Sequence, residues 1–242
     1  MNQLTLWDYM PFLLKGIPLT MQVTAMGITL AVFTALLLAV GRMSKILPVR
    51  WAAGFVIELF RGTSALVQLF WAFYVLPFFG LELSPLFAGV MVLGLNEGSY
   101  FAEVIRPALQ SVVGGQRDAA ITLHLPRWYR FRRIMLPQAL PVMIPPFGNA
   151  LVGMLKFTSL VSLVTLQDLA FRASMIRSNL GQSGPTYTVT LIIYFILAIM
   201  LAGLVKLLER HVNRKAGRDV PPLSWSQLKA PSPVPAWAFF GR

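Results

Sequence analysis

The sequence predicts an all-α integral membrane protein of five transmembrane helices, with its N-terminus outside and its C-terminus inside. Three observations carry this. The 242 residues are 56% hydrophobic and 12% charged, with mean hydropathy +0.66, so the chain lacks the polar surface of a soluble domain. Five windows are long and nearly free of charge, and about 20 apolar residues at ~1.5 Å rise cross ~30 Å of hydrocarbon. Lysine and arginine, finally, gather in alternate connections, as short loops held on the inner side do.

The windows place spans at about 17–41, 56–80, 85–106, 138–166 and 184–206 within a membrane domain of residues 1–218. The second has a helical lead-in from about Phe55, the third is interrupted by Glu97 and Glu103, and the fourth by Lys156. The runs are continuously apolar over twice the ~10-residue alternating segments of a membrane barrel, so they predict helices. Pro141, Pro145 and Pro146 predict a broken helix at the start of the fourth span.

Orientation follows from the basic residues. Arg42, Lys45 and Arg50 follow the first span, Arg106, Arg117, Arg127, Arg130, Arg132 and Arg133 follow the third, and seven more lie after the fifth. Lys15, Arg172 and Arg177 fall on the other side. This segregation accounts for the net charge of +12 without nucleic acid. The zero cysteine count excludes disulfides and thiolate metal sites.

The opening MNQLTLWDYM has no basic stretch before the first apolar run, so the first helix is expected to remain as an anchor. The proline-rich segment 219–242 has little periodicity and is expected to be a disordered inner tail.

Polar groups inside spans are expensive and face a cavity or a partner. The candidates for a substrate pathway are Gln68, Asn96, Glu97, Tyr100, Lys156, Thr158 and Ser159, with Gln22 and Asn149 as further polar positions. Glu97 and Lys156 fall near mid-depth of adjacent spans, either as a structural ion pair or as charges that receive a zwitterion. Glu58 and Arg61, three apart on one face, suit a local salt bridge or a gate latch. Trp71, Phe73 and Tyr74 are an aromatic wall for a cation or, equally, interface packing.

The loop 114–137 between the third and fourth spans breaks the apolar pattern. Gly114 and Gly115 end the third helix, and Asp118 suits the first turn of a short helix. Pro126 ends that helix, and a second short, basic and aromatic helix runs from Arg127 to Met135. Ala119, Ala120 and Leu123 form a compact apolar face that another protein's groove could grip.

This run, Gly115, Asp118-Ala119-Ala120, His124 and Ile134-Met135-Leu136-Pro137, resembles the EAA loop of ABC-importer permeases of the polar amino acid family. Asp118 stands where the family has Glu, and His124 where it has a turn glycine; the latter requires a left-handed histidine. Arg61-Gly62-Thr63 with Gln68, Asn96-Glu97-Gly98-Ser99-Tyr100 with Glu103 and Arg106, and Lys156-x-Thr158-Ser159-Leu160 extend the resemblance over most of residues 10–218. Phe157 departs from the polar residue usual at its place. The run FRGTSALVQLFWAFYVLPFFGLELSP looks like the ectoine/hydroxyectoine uptake branch.

The resemblance implies an ABC-importer permease in a bacterial cytoplasmic (inner) membrane. It makes Gly115, Asp118, Ala119, Ala120, Leu123 and His124 a cytoplasmic coupling helix that docks on an ABC ATPase dimer. It further implies a second permease copy or homologue, an extracytoplasmic substrate-binding protein and surrounding membrane lipid. The sequence has no G-x-x-x-x-G-K-[ST] phosphate loop, so ATP and Mg are expected on the partner ATPase and no cofactor on this chain. A secondary carrier would need an ion-coupling site and paired repeats. An enzyme would need a nucleophile beside a base, and both histidines, His124 and His211, fall in the predicted inner segments.

Overall fold

The computed structural model describes residues 6–110 and 119–215, and in them the chain is helical. A short entry, α1 (Met10–Leu14), leads through Gly16 into α2 (Ile17–Arg42). A turn then leads to α3 (Leu47–Gly62), after which the chain bends sharply into α4 (Ala65–Phe70). A π-helical stretch, Trp71–Val75, and a 3-10 turn, Leu76–Phe79, follow. α5 (Pro85–Gln110) comes next. Beyond a helical turn at 119–122 lie α6 (Arg127–Arg130), a second π stretch at Phe131–Met135 and α7 (Leu136–Phe157). A 3-10 segment, Thr158–Val164, leads to α8 (Leu169–Leu180) and to the long α9 (Ser183–Lys215).

Three continuous helical stretches are long and apolar enough to cross a membrane: Leu6–Arg42, Trp128–Val164 and Ser183–Arg214. Leu47–Gly62 and Ala65–Phe79 make a fourth if counted together, although their axes differ by 102°. α5, with 26 residues, is roughly 39 Å long. It is less apolar because it carries Asn96, Glu97, Glu103 and Arg106, of which Asn96 and Glu97 are buried.

α2 and α5 form the central pair, and small residues bring them together. Gly27, Ala31, Ala35 and Ala39 recur every fourth residue on α2, and Gly94, Gly98 and Ala102 do so on α5; all are buried. Lipid offers little hydrophobic drive between helices, so close backbone approach and dispersion supply the association. At the crossing, the Thr34 hydroxyl lies within hydrogen-bond distance of the Leu30, Ala31 and Gly94 carbonyls, at 2.9, 3.1 and 3.4 Å. A Cβ on Gly98 would overlap Thr34 Oγ1 and come within 2.9 Å of the Ala31 carbonyl oxygen.

One expectation is corrected. α7 is not broken at Pro141, Pro145 and Pro146; it runs unbroken through all three. A proline frees the carbonyl four residues before it. Pro137, Pro141 and Pro145 are spaced by four, so the bonds they lose lie along one side of the helix, and Pro146 frees one further carbonyl about 100° round. The irregular part is the π stretch before α7.

The predicted second span also differs in shape, since Thr63 and Ser64 adopt extended backbone and separate α3 from α4. α8 was not foreseen. It carries standard end signals: Asp168 Oδ1 accepts from the Phe171 N–H at 2.9 Å, and Gly181, at φ 66°, closes the last turn. The segment 219–242, Gly115 and Asp118 lie outside the described residues.

The start of α8 is clamped to α2 and α9. The Thr20 hydroxyl donates to the Gly16 carbonyl at 3.1 Å and accepts from the Leu169 N–H at 3.2 Å. Asp168 Oδ2 accepts from the Tyr194 hydroxyl at 3.4 Å. Arg172 covers the Phe12 ring at 4.7 Å and donates to the Phe12 carbonyl at 3.4 Å, tying α8 to α1. Burial raises the Asp168 carboxyl from its ordinary value to about 6, against the lowering effect of its bond from Phe171.

Two outcomes follow from this packing. Gly98→Val separates α2 from α5 and sharply lowers the yield of monodisperse, protease-resistant protein in detergent, whereas Ser99→Ala has a small effect. A carboxyl raised on folding contributes stability that is complete below its unfolded value, 3.8, and is lost as pH rises through about 6. The thermal unfolding midpoint in detergent therefore falls between pH 5 and pH 7, and Asp168→Asn, which keeps the cap, flattens that profile.

Candidate functional site

The break between α3 and α4 is built by Gly62-Thr63-Ser64. Thr63 (φ −122°, ψ 152°) ends α3, and Ser64 (φ −68°, ψ 131°) begins α4. Ending a helix here releases carbonyls that no helical N–H can satisfy. Two side chains predicted for a substrate pathway satisfy them. Gln68 Nε2 lies 2.9 Å from the Phe60 carbonyl oxygen, 3.2 Å from that of Thr63 and 2.6 Å from Thr63 Oγ1. Asn96 Nδ2, from α5, donates to the same Phe60 carbonyl at 2.8 Å and to Gln68 Oε1 at 3.2 Å.

The bend leaves a pocket of about 580 Å³ against α5 and the end of α7. Thr63, Ser64, Ala65 and Leu66 line one side, Asn96, Glu97 and Tyr100 another, and Phe157 and Leu160 close it. Such a volume falls in the ~300–1,000 Å³ range of small-molecule sites, which place a few polar groups in apolar walls. Glu97 is 8% exposed. Of the residues that line the pocket, it is the one acid, and no base stands beside it.

Glu97 and Lys156 do not form an ion pair: Lys156 is exposed at the end of α7, while Glu97 Oε1 lies toward Gly153, one turn away. Thr158 is fully buried and donates to the Leu155 carbonyl at 2.7 Å, and Ser159 donates to that of Lys156 at 2.8 Å. Thus Asn96, Glu97 and Tyr100 converge on the pocket, Gln68 supports its edge, and Lys156, Thr158 and Ser159 lie off its wall. Thr63, Ser64, Phe157 and Leu160 were not among the candidates. Phe157 had a visible cue, an aromatic residue where the resembled family carries a polar one.

Below the pocket, Tyr100 donates to the Arg61 carbonyl at 3.2 Å, and the Arg61 guanidinium lies 5.3 Å from the Tyr100 ring centre. Arg61 pairs with Glu58 at 3.9 Å, as the spacing predicts, and Arg106 pairs with Glu103 at 3.5 Å. Tyr74 stacks edge-on with Phe73 at 5.1 Å, so part of the aromatic wall packs on itself.

At the other end of α5, the turn after 119–122 is a Schellman motif. The Leu125 N–H donates to the Ala120 carbonyl at 3.2 Å and the His124 N–H to that of Ile121 at 2.9 Å. His124 takes the left-handed position at φ 53°, the conformation its place in the loop requires. Leu123 is 71% exposed, whereas Ala120 is 3% exposed and faces inward. The apolar face that the turn presents is therefore Leu123 with Ile121, and Ala120 is its inner seat.

Residues 27–214 match the family described as "binding-protein-dependent transport system inner membrane component". The chain is 41% identical over 216 residues to a probable amino-acid ABC transporter permease protein, y4tF, of Sinorhizobium fredii, covering 87% of this chain and 91% of that one. It is 35% identical over 214 residues to the L-cystine transport system permease protein TcyB of Bacillus subtilis, covering 86% and 92%. Among solved structures, the crystal structure of an amino acid ABC transporter with histidines superposes with a TM-score of 0.80 at 33% identity, over 87% of this chain and 99% of that one. By these matches the chain belongs to the family of binding-protein-dependent transport system inner membrane components.

Proposed function

We propose that this chain is the permease subunit of an ATP-binding-cassette importer, and that the pocket at the α3–α4 break receives an amino acid or an amino-acid-like compatible solute in transit. The observation that carries the reading is the pairing of that bend with Glu97, a single acid among neutral hydroxyl and amide groups. Glu97 suits a substrate ammonium; the Ser64 hydroxyl suits the carboxylate end. The relatives' amino-acid substrates agree with a zwitterion.

The rest of the arrangement fits a transport subunit and not an enzyme. The pocket residues include no nucleophile–base pair, and the sequence has no phosphate loop, so energy comes from a partner ATPase. With five crossings, the loop of 119–124 on the inner side and α8 on the outer side, Leu123 and Ile121 are the contact to that ATPase. Gly115, Asp118, Ala119 and the inward Ala120 support the contact.

Tyr100 is 46% exposed, and Arg61, Glu58, Glu103 and Arg106 continue a polar stripe down α3 and α5. Hydrocarbon does not tolerate such a stripe, so a second permease, identical or homologous, covers it. The binding protein delivers substrate at the α1–α8 end in the bacterial inner membrane.

Uptake by proteoliposomes holding permease, ATPase and binding protein tests this. Glu97→Gln lowers uptake by about 10- to 100-fold, the loss expected for a hydrogen bond to a charged group, while the assembled complex is recovered in normal amount. Full uptake by that variant would overturn the assignment. At the turn, His124→Gly preserves transport, since glycine accepts φ > 0 at no steric cost. His124→Val strains the motif by about 1–2 kcal/mol and lowers substrate-stimulated ATP hydrolysis more than it lowers ATPase binding.

A further inference from the structure

A second cavity, of about 400 Å³, lies between the end of α2, the turn at 119–122, and α6 with the π stretch that follows it. Lys45 and Arg130 line it, and Met43, Ile121, Ile134 and Met135 give it an apolar floor. No acid lines it among the described residues. The cavity is amphipathic and carries two positive charges with no counter-charge among its described lining residues.

Exposed tryptophans lie on the elements next to it in the chain. Trp51, on α3, and Trp128, on α6, are 70% and 68% exposed, and tryptophan collects where headgroups meet hydrocarbon. Beside the cavity, Ile46 and Leu47 are 62% and 53% exposed and Met43 is 43% exposed. They add exposed apolar surface next to Met43 and Lys45 in the chain. Basic recesses between helices on the inner side suit anionic headgroups.

We infer that this cavity is a binding site for one anionic phospholipid, its phosphate held between Lys45 and Arg130 and its acyl chains laid over Met43, Ile46 and Leu47. The inference rests on the proposed orientation, in which this end of the bundle faces the cytoplasm. Because Ile121 and Ala120 belong to the turn that meets the ATPase, the lipid becomes part of the wall behind that contact.

Native mass spectrometry of the purified permease–ATPase complex, stripped of lipid and titrated with phosphatidylglycerol or phosphatidylcholine, tests the site. The unaltered complex retains phosphatidylglycerol in preference to phosphatidylcholine. Lys45→Gln/Arg130→Gln lowers that retention by about tenfold or more, since each basic residue near a headgroup contributes about 1 kcal/mol. Lys206→Gln/Arg210→Gln, an equal charge change on α9, leaves it within twofold, and Lys45→Arg/Arg130→Lys restores it if the glutamine pair is poorly folded.

Equal retention of the two lipids, or no change in the glutamine pair, overturns the inference. Displacement by millimolar inorganic phosphate would make this a free-anion site, and retention by permease alone but not by the complex would give the cavity to the ATPase; either result also overturns it. None of these readings depends on uptake, so the transport assignment stands or falls separately.

Discussion

A chain can change direction inside hydrocarbon only if the carbonyls it releases find donors in the protein, because each unsatisfied group there costs several kcal/mol. In this fold that requirement falls on Phe60 and Thr63, at the end of α3. Gln68 reaches back from α4 to both, and Asn96 reaches across from α5 to the Phe60 carbonyl and to Gln68 itself. The bend, the pocket beside it and the placement of Tyr100 against Arg61 depend on this small amide network. It also explains why two residues of the kind that bind solutes are engaged with backbone: their polarity first permits the bend that makes the pocket.

α5 serves two partners from two faces. Gly94, Gly98 and Ala102 lie against α2, where the Cβ-free surface lets Thr34 approach the backbone. Asn96, Glu97 and Tyr100 look toward the pocket, and Glu103 and Arg106 continue below it. A helix buried against a rigid neighbour on one side and polar on the other is a fixed wall. The elements opposite it across the pocket are α4 and the end of α7.

Much of this was legible from residue type and spacing. Long apolar windows located α2, α5, α7 and α9 closely, and the need for a left-handed residue at His124 followed from its place in the loop. The bend was not legible, because Gly62-Thr63-Ser64 interrupts a run whose hydropathy continues on both sides; the evidence for a break lies in Gln68 and Asn96, which hydropathy counts merely as polar. α8 was missed because it is neither long nor apolar, although Asp168 and Gly181 bracket it. Three prolines pointed to a broken α7, yet the helix runs through all of them. The windows put Lys156 and Glu97 at similar depth, but Glu97 meets α7 at Gly153, one turn short of Lys156, and that offset keeps them apart.

The path from the turn to the pocket is a single element. α6 follows the His124 turn directly, the π stretch Phe131–Met135 joins it to α7, and α7 ends at Phe157 in the pocket wall. A helix of 22 residues, roughly 33 Å long, moves as a rod, so displacement at Leu123 or Ile121 must reach Phe157 unless something near the base absorbs it. The π stretch is the place for that, because its wider turn changes the helical phase with little loss of hydrogen bonding. Prolines along one side of the rod add a preferred direction of bending. In the proposed importer, a partner that pulls on the turn would therefore tilt Phe157 toward or away from Glu97, while α5, locked to α2, holds Glu97 in place.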